Sequence, residues 1–267
     1  MSTTITSPQN PRVKAAVRLR ERRHREKQGR ILIDGARELL RAIEAGVRLI
    51  EVFVCRRLCE SDDAWRVLAA ISDCGAEVLD VPEPVFAKLA FGDRAEGVLG
   101  VAEMPRPTLD AITLTENPLV AVLERIEKPG NLGAVLRSAD GAGLSALILA
   151  DGRTDLYNPN AIRASLGTLF TMPVCSTTGD EALAWLRARN VQIVAARVDG
   201  DVPYARIDYR RPTAIVLGNE AEGLSDLWRA PDVTAVHLPM LGAADSLNVS
   251  ATAAVLFYEA LRQRQAG

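Results

Sequence analysis

The sequence predicts an α/β protein of two domains, and the C-terminal domain is expected to contain a mostly parallel sheet with helices on both faces. In that half, apolar strand-like runs alternate regularly with amphipathic helix-like segments. The proline-rich stretch Met104-Pro-Arg-Pro-Thr108 lies just before it and favours an extended conformation. We therefore place an N-terminal domain at residues 1–105, a linker at 106–117 and a C-terminal domain at 118–267.

Composition narrows the class of protein. The chain has 267 residues, of which 48% are hydrophobic and 25% charged, as is typical of a soluble globular protein. No apolar run approaches the roughly 20 residues that span a bilayer. The N-terminus shows no charged segment followed by an apolar block, so we expect no signal peptide and a cytoplasmic location.

The cysteines and histidines give little support to metal or hydrolytic chemistry. The four cysteines, Cys55, Cys59, Cys74 and Cys175, contain no CxxC pair, and neither histidine lies near them in sequence. We interpret them as buried or half-buried free thiols and expect no metal site. No HExxH motif and no candidate Ser-His-Asp loop is present.

The N-terminal domain begins with a strongly basic segment. Residues 12–30 hold nine lysines and arginines against two glutamates, and their spacing fits one amphipathic helix with a broad basic face. Such a face is a candidate phosphate-binding surface, although charge runs are often only solvated helix faces. The predicted RNA-binding residues are Arg12, Lys14, Arg18, Arg20, Arg22 and Arg23.

The rest of this domain reads as a small α/β unit. Strands are predicted at residues 31–33, 49–54, 76–81 and 97–103, and helices at 35–46, 62–74 and 82–89. No loop between them carries obvious catalytic chemistry. The expected task of this domain is recognition or structure.

The C-terminal half alternates strand and helix throughout. Strands are predicted at residues 119–124, 146–150, 192–197, 214–217 and 233–238, and helices at 132–141, 158–166, 180–189 and 248–264. In such sheets, ligands bind at the carboxyl ends of the strands. No GxGxxG motif follows the first strand, which argues against a nucleotide-dependent oxidoreductase.

Three strand-end loops in this half carry unusual chemistry. The first, residues 127–139, contains Gly130 and Gly133 for a tight turn, Asn131 as a possible helix cap and Arg137. The second, residues 218–224, is bounded by glycines and holds two carboxylates that could bind hydroxyls or an amine, or only cap the next segment. The third, residues 238–254, is rich in small residues, so a ligand or backbone segment could approach it closely.

Taken together, the three loops resemble the signature motifs of a known family. The runs Asn131-Leu-Gly-Ala-Val-Leu-Arg-Ser-Ala139, Leu217-Gly-Asn-Glu-Ala-Glu-Gly-Leu-Ser225 and Leu238-Pro-Met-Leu-Gly-Ala-Ala-Asp-Ser-Leu-Asn-Val-Ser250 are similar in content, order and separation to those of the SpoU family. Its members are S-adenosylmethionine-dependent RNA ribose 2′-O-methyltransferases of the SPOUT class. The N-terminal domain resembles the ribosomal-protein-like substrate-binding domain of members that modify large-subunit rRNA.

The resemblance implies a fold, a methyl donor and an assembly. It implies a deep C-terminal trefoil knot, which connection rules would not predict. It also implies a homodimer formed through the knotted domain, in which Arg137 completes the partner's site. The residues that it places at S-adenosylmethionine are Leu217, Gly218, Leu238, Met240, Leu247 and Asn248.

For catalysis, the resemblance points to Asn131, Arg137, Glu220, Ser246 and Asn248. Because a guanidinium stays protonated in proteins, Arg137 is better suited to hold a target phosphate than to act as the general base. We expect Asn131 and Arg137 to orient the ribose-phosphate, and Glu220 and Ser246 to fix local geometry. The alternatives are a tRNA 2′-O-methyltransferase and a non-catalytic RNA-binding protein, which would not need the three loops.

Overall fold

A computed structural model of the chain describes residues 3–91 and 96–266. The strands are β1 (Thr3–Thr4), β2 (Arg30–Asp34), β3 (Leu49–Val54), β4 (Glu77–Asp80), β5 (Val98–Glu103), β6 (Leu119–Glu124), β7 (Ala146–Ala150), β8 (Val174–Thr177), β9 (Gln192–Ala196), β10 (Val202–Pro203), β11 (Thr213–Leu217) and β12 (Val233–His237). The helices are α1 (Pro11–Arg18), α2 (Arg22–Gln28), α3 (Ala36–Glu44), α4 (Asp62–Ala70), α5 (Glu83–Leu89), α6 (Pro129–Gly141), α7 (Pro159–Ala164), α8 (Gly179–Ala188) and α9 (Val249–Gln265).

These elements form two units. One comprises Met1–Pro105 and Tyr157–Thr171, and the other comprises Arg106–Leu156 and Met172–Gly267. The first unit contains a mixed five-stranded sheet of order β1-β4-β3-β5-β2, in which β5 is antiparallel to both β2 and β3. Its core lies between this sheet and helices such as α1 and α5, which contribute Val13, Ala16 and Phe86 to the buried cluster.

The basic segment does not form the single helix that its spacing predicted. It divides into α1 and α2, with a break at residues 19–21. The side chain of Arg25 is buried and donates to the carbonyl oxygens of Leu19 (2.7 Å) and Arg20 (2.8 Å). Because these carbonyls lie at the end of α1, the buried guanidinium satisfies groups that a continuous helix would have bonded to its own backbone.

The second unit confirms the predicted parallel sheet. Seven strands run in parallel in the order β10-β12-β9-β11-β6-β7-β8. Every residue of β6, β7 and β11 is buried, as expected for central strands covered on both faces. The sequence prediction missed β8 and β10, which are short outer strands with little periodicity to detect.

One predicted helix of the second half belongs elsewhere. The helix α7 and the turn after it cluster with the first unit. There Arg41 donates to the carbonyl oxygen of Leu166 (2.7 Å), and Arg163 lies 4.0 Å from the carboxylate of Asp34. No helix in the described part of the chain is both long and apolar enough to cross a membrane.

Candidate functional site

The carboxyl ends of β6, β9, β11 and β12 lie along one edge of the parallel sheet, because parallel neighbours share a direction. A cavity of about 770 Å³ opens there. It is lined by residues 196–199, 217–224, 236–240 and 245–247, together with Arg229, Val249 and Thr252. Two of the three loops singled out in the sequence therefore form its walls.

The loop after β11 is shaped by backbone contacts that leave no room for a side chain at Gly218. A Cβ atom on Gly218 would lie 2.4 Å from the carbonyl carbon of Gly223. Asn219 is buried, donates from Nδ2 to the carbonyl oxygen of Arg125 (3.0 Å) and accepts at Oδ1 from the Ala221 N–H (2.7 Å). The loop is thus folded tightly upon itself, and residues 217–224 line the cavity.

A buried carboxylate holds the far end of the same loop. Glu124 ends the otherwise apolar strand β6 and is fully buried. It accepts hydrogen bonds from the N–H (2.8 Å) and the hydroxyl (2.6 Å) of Ser225. The sequence analysis did not identify Glu124 as a site residue. Its place, as an acidic residue at the end of the apolar run Leu-Val-Ala-Val-Leu, could have indicated a buried carboxylate with a structural or functional role.

Three of the predicted catalytic residues meet beside the cavity. The side-chain amide of Asn131 donates to the carboxylate of Glu220, and Asn248 Nδ2 lies 3.5 Å from Asn131 Oδ1. The first, second and third loops therefore meet at one polar contact. Asn131 is not a helix cap, since α6 already begins at Pro129 with a proline in its first turn. Asn248, by contrast, is the N-cap of α9 and accepts from the Ser250 N–H (2.9 Å).

The predicted donor-binding residues divide between the cavity and its rim. Five of them line it: Leu217, Gly218, Leu238, Met240 and Leu247. The predicted catalytic residues Glu220 and Ser246 also line it. Asn248 is not among the lining residues, although Leu247 and Val249 on either side of it are.

Arg137 lies apart from this cavity. It is exposed on α6 and does not line the cavity. Within residues 3–91 and 96–266 its guanidinium makes no hydrogen bond or ion pair. The helix α6 packs against α9, where a Cβ on Gly141 would come within 2.9 Å of the Tyr258 hydroxyl.

A charged network that the sequence analysis did not predict also lines the cavity and consists of Arg197, Asp199 and Arg229. Asp199 accepts hydrogen bonds from Arg197 Nε (2.8 Å) and Nη2 (2.7 Å), and Arg229 lies 3.2 Å from the same carboxylate. Hydrogen bonding from Arg197 and the charge of both guanidiniums lower the pKa of Asp199 to about 2. The Asp199 carboxylate, which lines the cavity, is therefore ionised at neutral pH. Sequence spacing gave no sign of it, because Arg229 lies 30 positions after Asp199.

The predicted RNA-binding residues of the first unit fall into three groups. Arg12 bridges Glu51 (2.8 Å) and Glu77 (2.6 Å). Arg20 donates to the last carbonyl oxygens around the end of α5, including that of Ala90 (2.8 Å), and lies over the Phe91 ring. Those two guanidiniums are thus committed to contacts inside the unit, which the sequence did not predict.

The remaining four stay on the surface. Arg22 pairs with Glu26 (2.7 Å) and Arg23 with Glu21 (2.9 Å), and all four of these side chains are largely exposed. Lys14 and Arg18 are exposed, and no ion pair or hydrogen bond involves their side chains in the described part of the chain.

The cysteines match their interpretation as free thiols. Cys55, Cys59 and Cys175 are buried, and Cys74 is half-buried. Burial raises the pKa of the Cys175 thiol to about 11. Among the described residues, no group of three histidine, cysteine or acidic side chains could hold a metal ion.

Comparison with known proteins agrees with this geometry. Residues 118–258 match the model of the SpoU rRNA Methylase family, and residues 10–100 match the MRM3-like substrate binding domain. The chain is 33% identical over 260 residues to the 23S rRNA (uridine(2479)-2′-O)-methyltransferase of Streptomyces viridochromogenes, covering 93% of this chain and 88% of that protein.

Two solved structures resemble nearly the whole chain. An RNA 2′-O ribose methyltransferase shares 42% sequence identity and a TM-score of 0.86, covering 98% of this chain and 100% of that one. The AdoMet-bound rRNA methyltransferase from Sinorhizobium meliloti shares 30% identity and a TM-score of 0.88, covering 98% of both chains. Two of the three motifs line one cavity, and a family model matches more than half of the chain, which therefore belongs to the SpoU rRNA methylase family.

Proposed function

We propose that this protein transfers a methyl group from S-adenosylmethionine to a ribose 2′-hydroxyl of 23S rRNA. The observation that carries the proposal is the meeting of Asn131, Glu220 and Asn248 at the rim of a cavity walled by the second and third loops. The named activities of the relatives support the reaction and the class of RNA. Because rRNA is the proposed substrate, we place the reaction in the cytoplasm.

The cavity has the size and lining that the methyl donor needs. Its volume of about 770 Å³ lies within the range of small-molecule sites. Backbone groups around Gly218, Leu238 and Leu247 would hold the adenosine. A Cβ on Gly218 would collide with the backbone of Gly223 and Leu224 and so distort the loop after β11. When bound, the donor supplies an electrophilic methyl group on a sulfonium, and no metal is needed for this.

The chain's own residues then have to place the nucleophile. The reaction needs in-line approach of the ribose oxygen and loss of its proton. Asn131 and Glu220 fix each other by a hydrogen bond, and Asn248 is held by capping α9. These three side chains are preorganised, so they can orient the ribose without rearrangement. Ser246 lines the cavity beside them and completes the local geometry.

Arg137 is proposed to bind the phosphate next to the target ribose. Its guanidinium has no partner among the described residues, and a guanidinium in general keeps its positive charge in proteins. It therefore suits a phosphate better than it suits removal of a proton, which would pass to phosphate or water. Because Arg137 lies outside the cavity of its own chain, we propose that a second copy supplies it in a homodimer formed through a knotted C-terminal domain.

The first unit is proposed to select the RNA. Its match to a substrate binding domain supports this role. Of the six cations predicted from sequence, Lys14 and Arg18 are the best placed for phosphate contacts, since both are exposed and neither has a partner among the residues that the structure describes. Such contacts position RNA with little dependence on sequence. The boundaries 1–105, 106–117 and 118–267 remain our proposal for the domains.

The test separates donor binding from transfer. Arg137→Ala should lower methyl transfer to an unmodified 23S rRNA transcript by at least a hundredfold and leave the S-adenosylmethionine Kd within about twofold. Arg187→Ala, which removes an exposed, ion-paired arginine from α8 of the same unit, is the matched control and should be nearly neutral. Equal loss of binding and transfer would refute the role of Arg137. Absence of donor binding in the wild type would favour a non-catalytic RNA-binding protein, and transfer to tRNA alone would favour the tRNA alternative.

Subunit sharing has its own readout. Chains carrying Arg137→Ala and chains carrying a cavity-blocking Gly218→Val are each expected to be inactive. Mixed dimers contain one intact site, formed by the cavity of the first chain and Arg137 of the second. Random mixing should therefore restore about a quarter of wild-type activity. No recovery in mixed dimers would contradict the proposal that Arg137 acts across the interface.

A further inference from the structure

Four residues other than glycine adopt a positive φ in the described part of the chain: Arg125, Asp151, Leu166 and Asn190. This left-handed region is disfavoured for residues with a Cβ, and least so for asparagine and aspartate. Such residues are kept when the surroundings require the conformation or when the side chain has a use.

The structure explains three of the four. Leu166 and Asn190 stand just after the last turns of α7 and α8, where a left-handed residue commonly ends a helix. Asp151 has a short polar side chain suited to this region, and its carboxylate accepts a hydrogen bond from the Gly179 N–H (2.9 Å) at the start of α8. Neither explanation applies to Arg125, which has a long side chain and follows a strand.

The backbone of Arg125 is fixed by its neighbours on both sides. Its N–H donates to the carbonyl oxygen of Ala150 (2.9 Å), and its carbonyl oxygen accepts from Asn219 Nδ2 (3.0 Å). These bonds account for the left-handed conformation. They would be made equally well by asparagine or glycine, which adopt it at lower cost. These backbone hydrogen bonds do not explain why the residue at position 125 is an arginine.

That side chain is a cation without a partner among the described residues, and its own backbone is bonded by Asn219, which lines the cavity. It is half-buried, does not line the cavity, and forms no hydrogen bond or ion pair anywhere in residues 3–91 and 96–266. Hydrogen bonds from Arg153 lower the pKa of Glu222, and the charge of Arg125 adds to that effect, so the guanidinium lies within electrostatic reach of the second loop. The neighbouring Asn219 directly precedes Glu220, which contacts Asn131.

We propose that Arg125 is a substrate-positioning residue, whose guanidinium binds a phosphate of the RNA strand that carries the target ribose. This rests on the proposed function of the site. Arg125 does not line the donor cavity, but its backbone bonds the residue that precedes Glu220, which contacts Asn131. This position fits a group that meets RNA rather than the methyl donor. An arginine in this place gives a charge-assisted, bidentate contact to phosphate. In the RNA complex, this phosphate contact would offset the free-energy cost of the left-handed backbone at Arg125.

Two substitutions separate the side chain from the backbone. Arg125→Gln removes the charge and leaves a residue for which the left-handed conformation is unfavourable. Arg125→Asn also removes the charge but introduces a residue that adopts this conformation at lower cost. Both variants should raise the KM for an unmodified 23S rRNA transcript about tenfold and reduce the salt slope of RNA binding by about one. Arg125→Asn should melt at a higher temperature than Arg125→Gln. The S-adenosylmethionine Kd, measured by calorimetry without RNA, should stay within twofold for both.

The control is Arg206→Gln, which neutralises an exposed arginine that does not line the cavity and should change none of these quantities. RNA KM and salt slope unchanged in both Arg125 variants would overturn the proposal, as would a loss of donor affinity equal to the loss of RNA affinity. Filter binding of the transcript measures the RNA contact even without turnover. If wild-type protein binds this RNA but transfers no methyl group to it, the proposed function fails while the role of Arg125 is still tested.

Discussion

The tight loop after β11 makes Gly218→Ala the most direct probe of the donor cavity. The added Cβ would lie 2.4 Å from the carbonyl carbon and 2.5 Å from the carbonyl oxygen of Gly223, and 2.6 Å from the Leu224 nitrogen. Ordinary contacts of a Cβ begin near 3.4 Å, so the facing backbone has to move by about 1 Å. No flexible side chain can absorb this shift, because all three atoms belong to the backbone.

Two consequences are expected from that displacement. Forcing a methyl group into a close-packed site destabilises a protein by about 1–3 kcal/mol. The moved segment also lines the cavity, and a misplacement of about 1 Å at a site can reduce activity about a hundredfold. We therefore expect a lower free energy of unfolding and at least a tenfold weaker S-adenosylmethionine Kd, measured by urea unfolding and calorimetry respectively.

Gly130→Ala is the matched control, since a Cβ there meets nothing within 4 Å and the residue lies in the first turn of α6. It should leave both donor affinity and stability nearly unchanged. Donor affinity equal to wild type in Gly218→Ala would show that this loop does not shape the donor site. A loss of stability alone, with normal binding, would refute the reasoning in the same way.

The remaining predictions concern the first unit. Arg18→Gln should reduce the salt slope of RNA binding without loss of stability, because its side chain is exposed and has no partner in the described part of the chain. Arg20→Gln should instead destabilise the unit by about 1–3 kcal/mol, because the Arg20 guanidinium bonds carbonyls at the end of α5. Equal stability of the two variants would contradict this. Burial raises the pKa of Asp34 from 3.8 to about 6, so the folded state binds this proton more tightly than the unfolded state. Protonation of Asp34 therefore adds roughly 3 kcal/mol to the free energy of unfolding below about pH 4, and this contribution is lost as the pH rises through 6. Asp34→Asn should flatten the dependence of the unfolding free energy on pH in that window, and an unchanged slope in urea titrations would refute the assignment.

Local pattern was sufficient where an element is defined by its own residues. The predicted strands at residues 49–54, 119–124 and 146–150 coincide with β3, β6 and β7. Each is a continuous apolar or alternating run with turn residues on both sides, and burial of that run decides its structure. Boundaries shifted where a cap decided them: α6 begins at Pro129 rather than at residue 132, because proline is well accommodated in a first turn.

Pattern failed where contacts distant in sequence decide the outcome. The break between α1 and α2 depends on Arg25 folding back onto the carbonyls of Leu19 and Arg20. The commitment of Arg12 depends on Glu51 and Glu77, far along the chain. Charge density alone cannot separate an arginine that faces RNA from one that satisfies its own protein. Pairing of that kind follows from distance in space, on which Coulomb energy and hydrogen bonding depend.

The sequence by itself determined the parallel sheet, the three loops at its carboxyl edge and the residue types that they carry, because strand period and glycine placement are local properties. Only the tertiary structure decided that Asn131, Glu220 and Asn248 meet, that Glu124 holds Ser225, and that the segment 157–171 packs with the first unit. It also showed that Arg125 keeps a left-handed backbone while its side chain has no partner among residues 3–91 and 96–266. The physical reason is the same in each case: these contacts join residues that the chain brings together only when the sheet has formed, and no local periodicity encodes them.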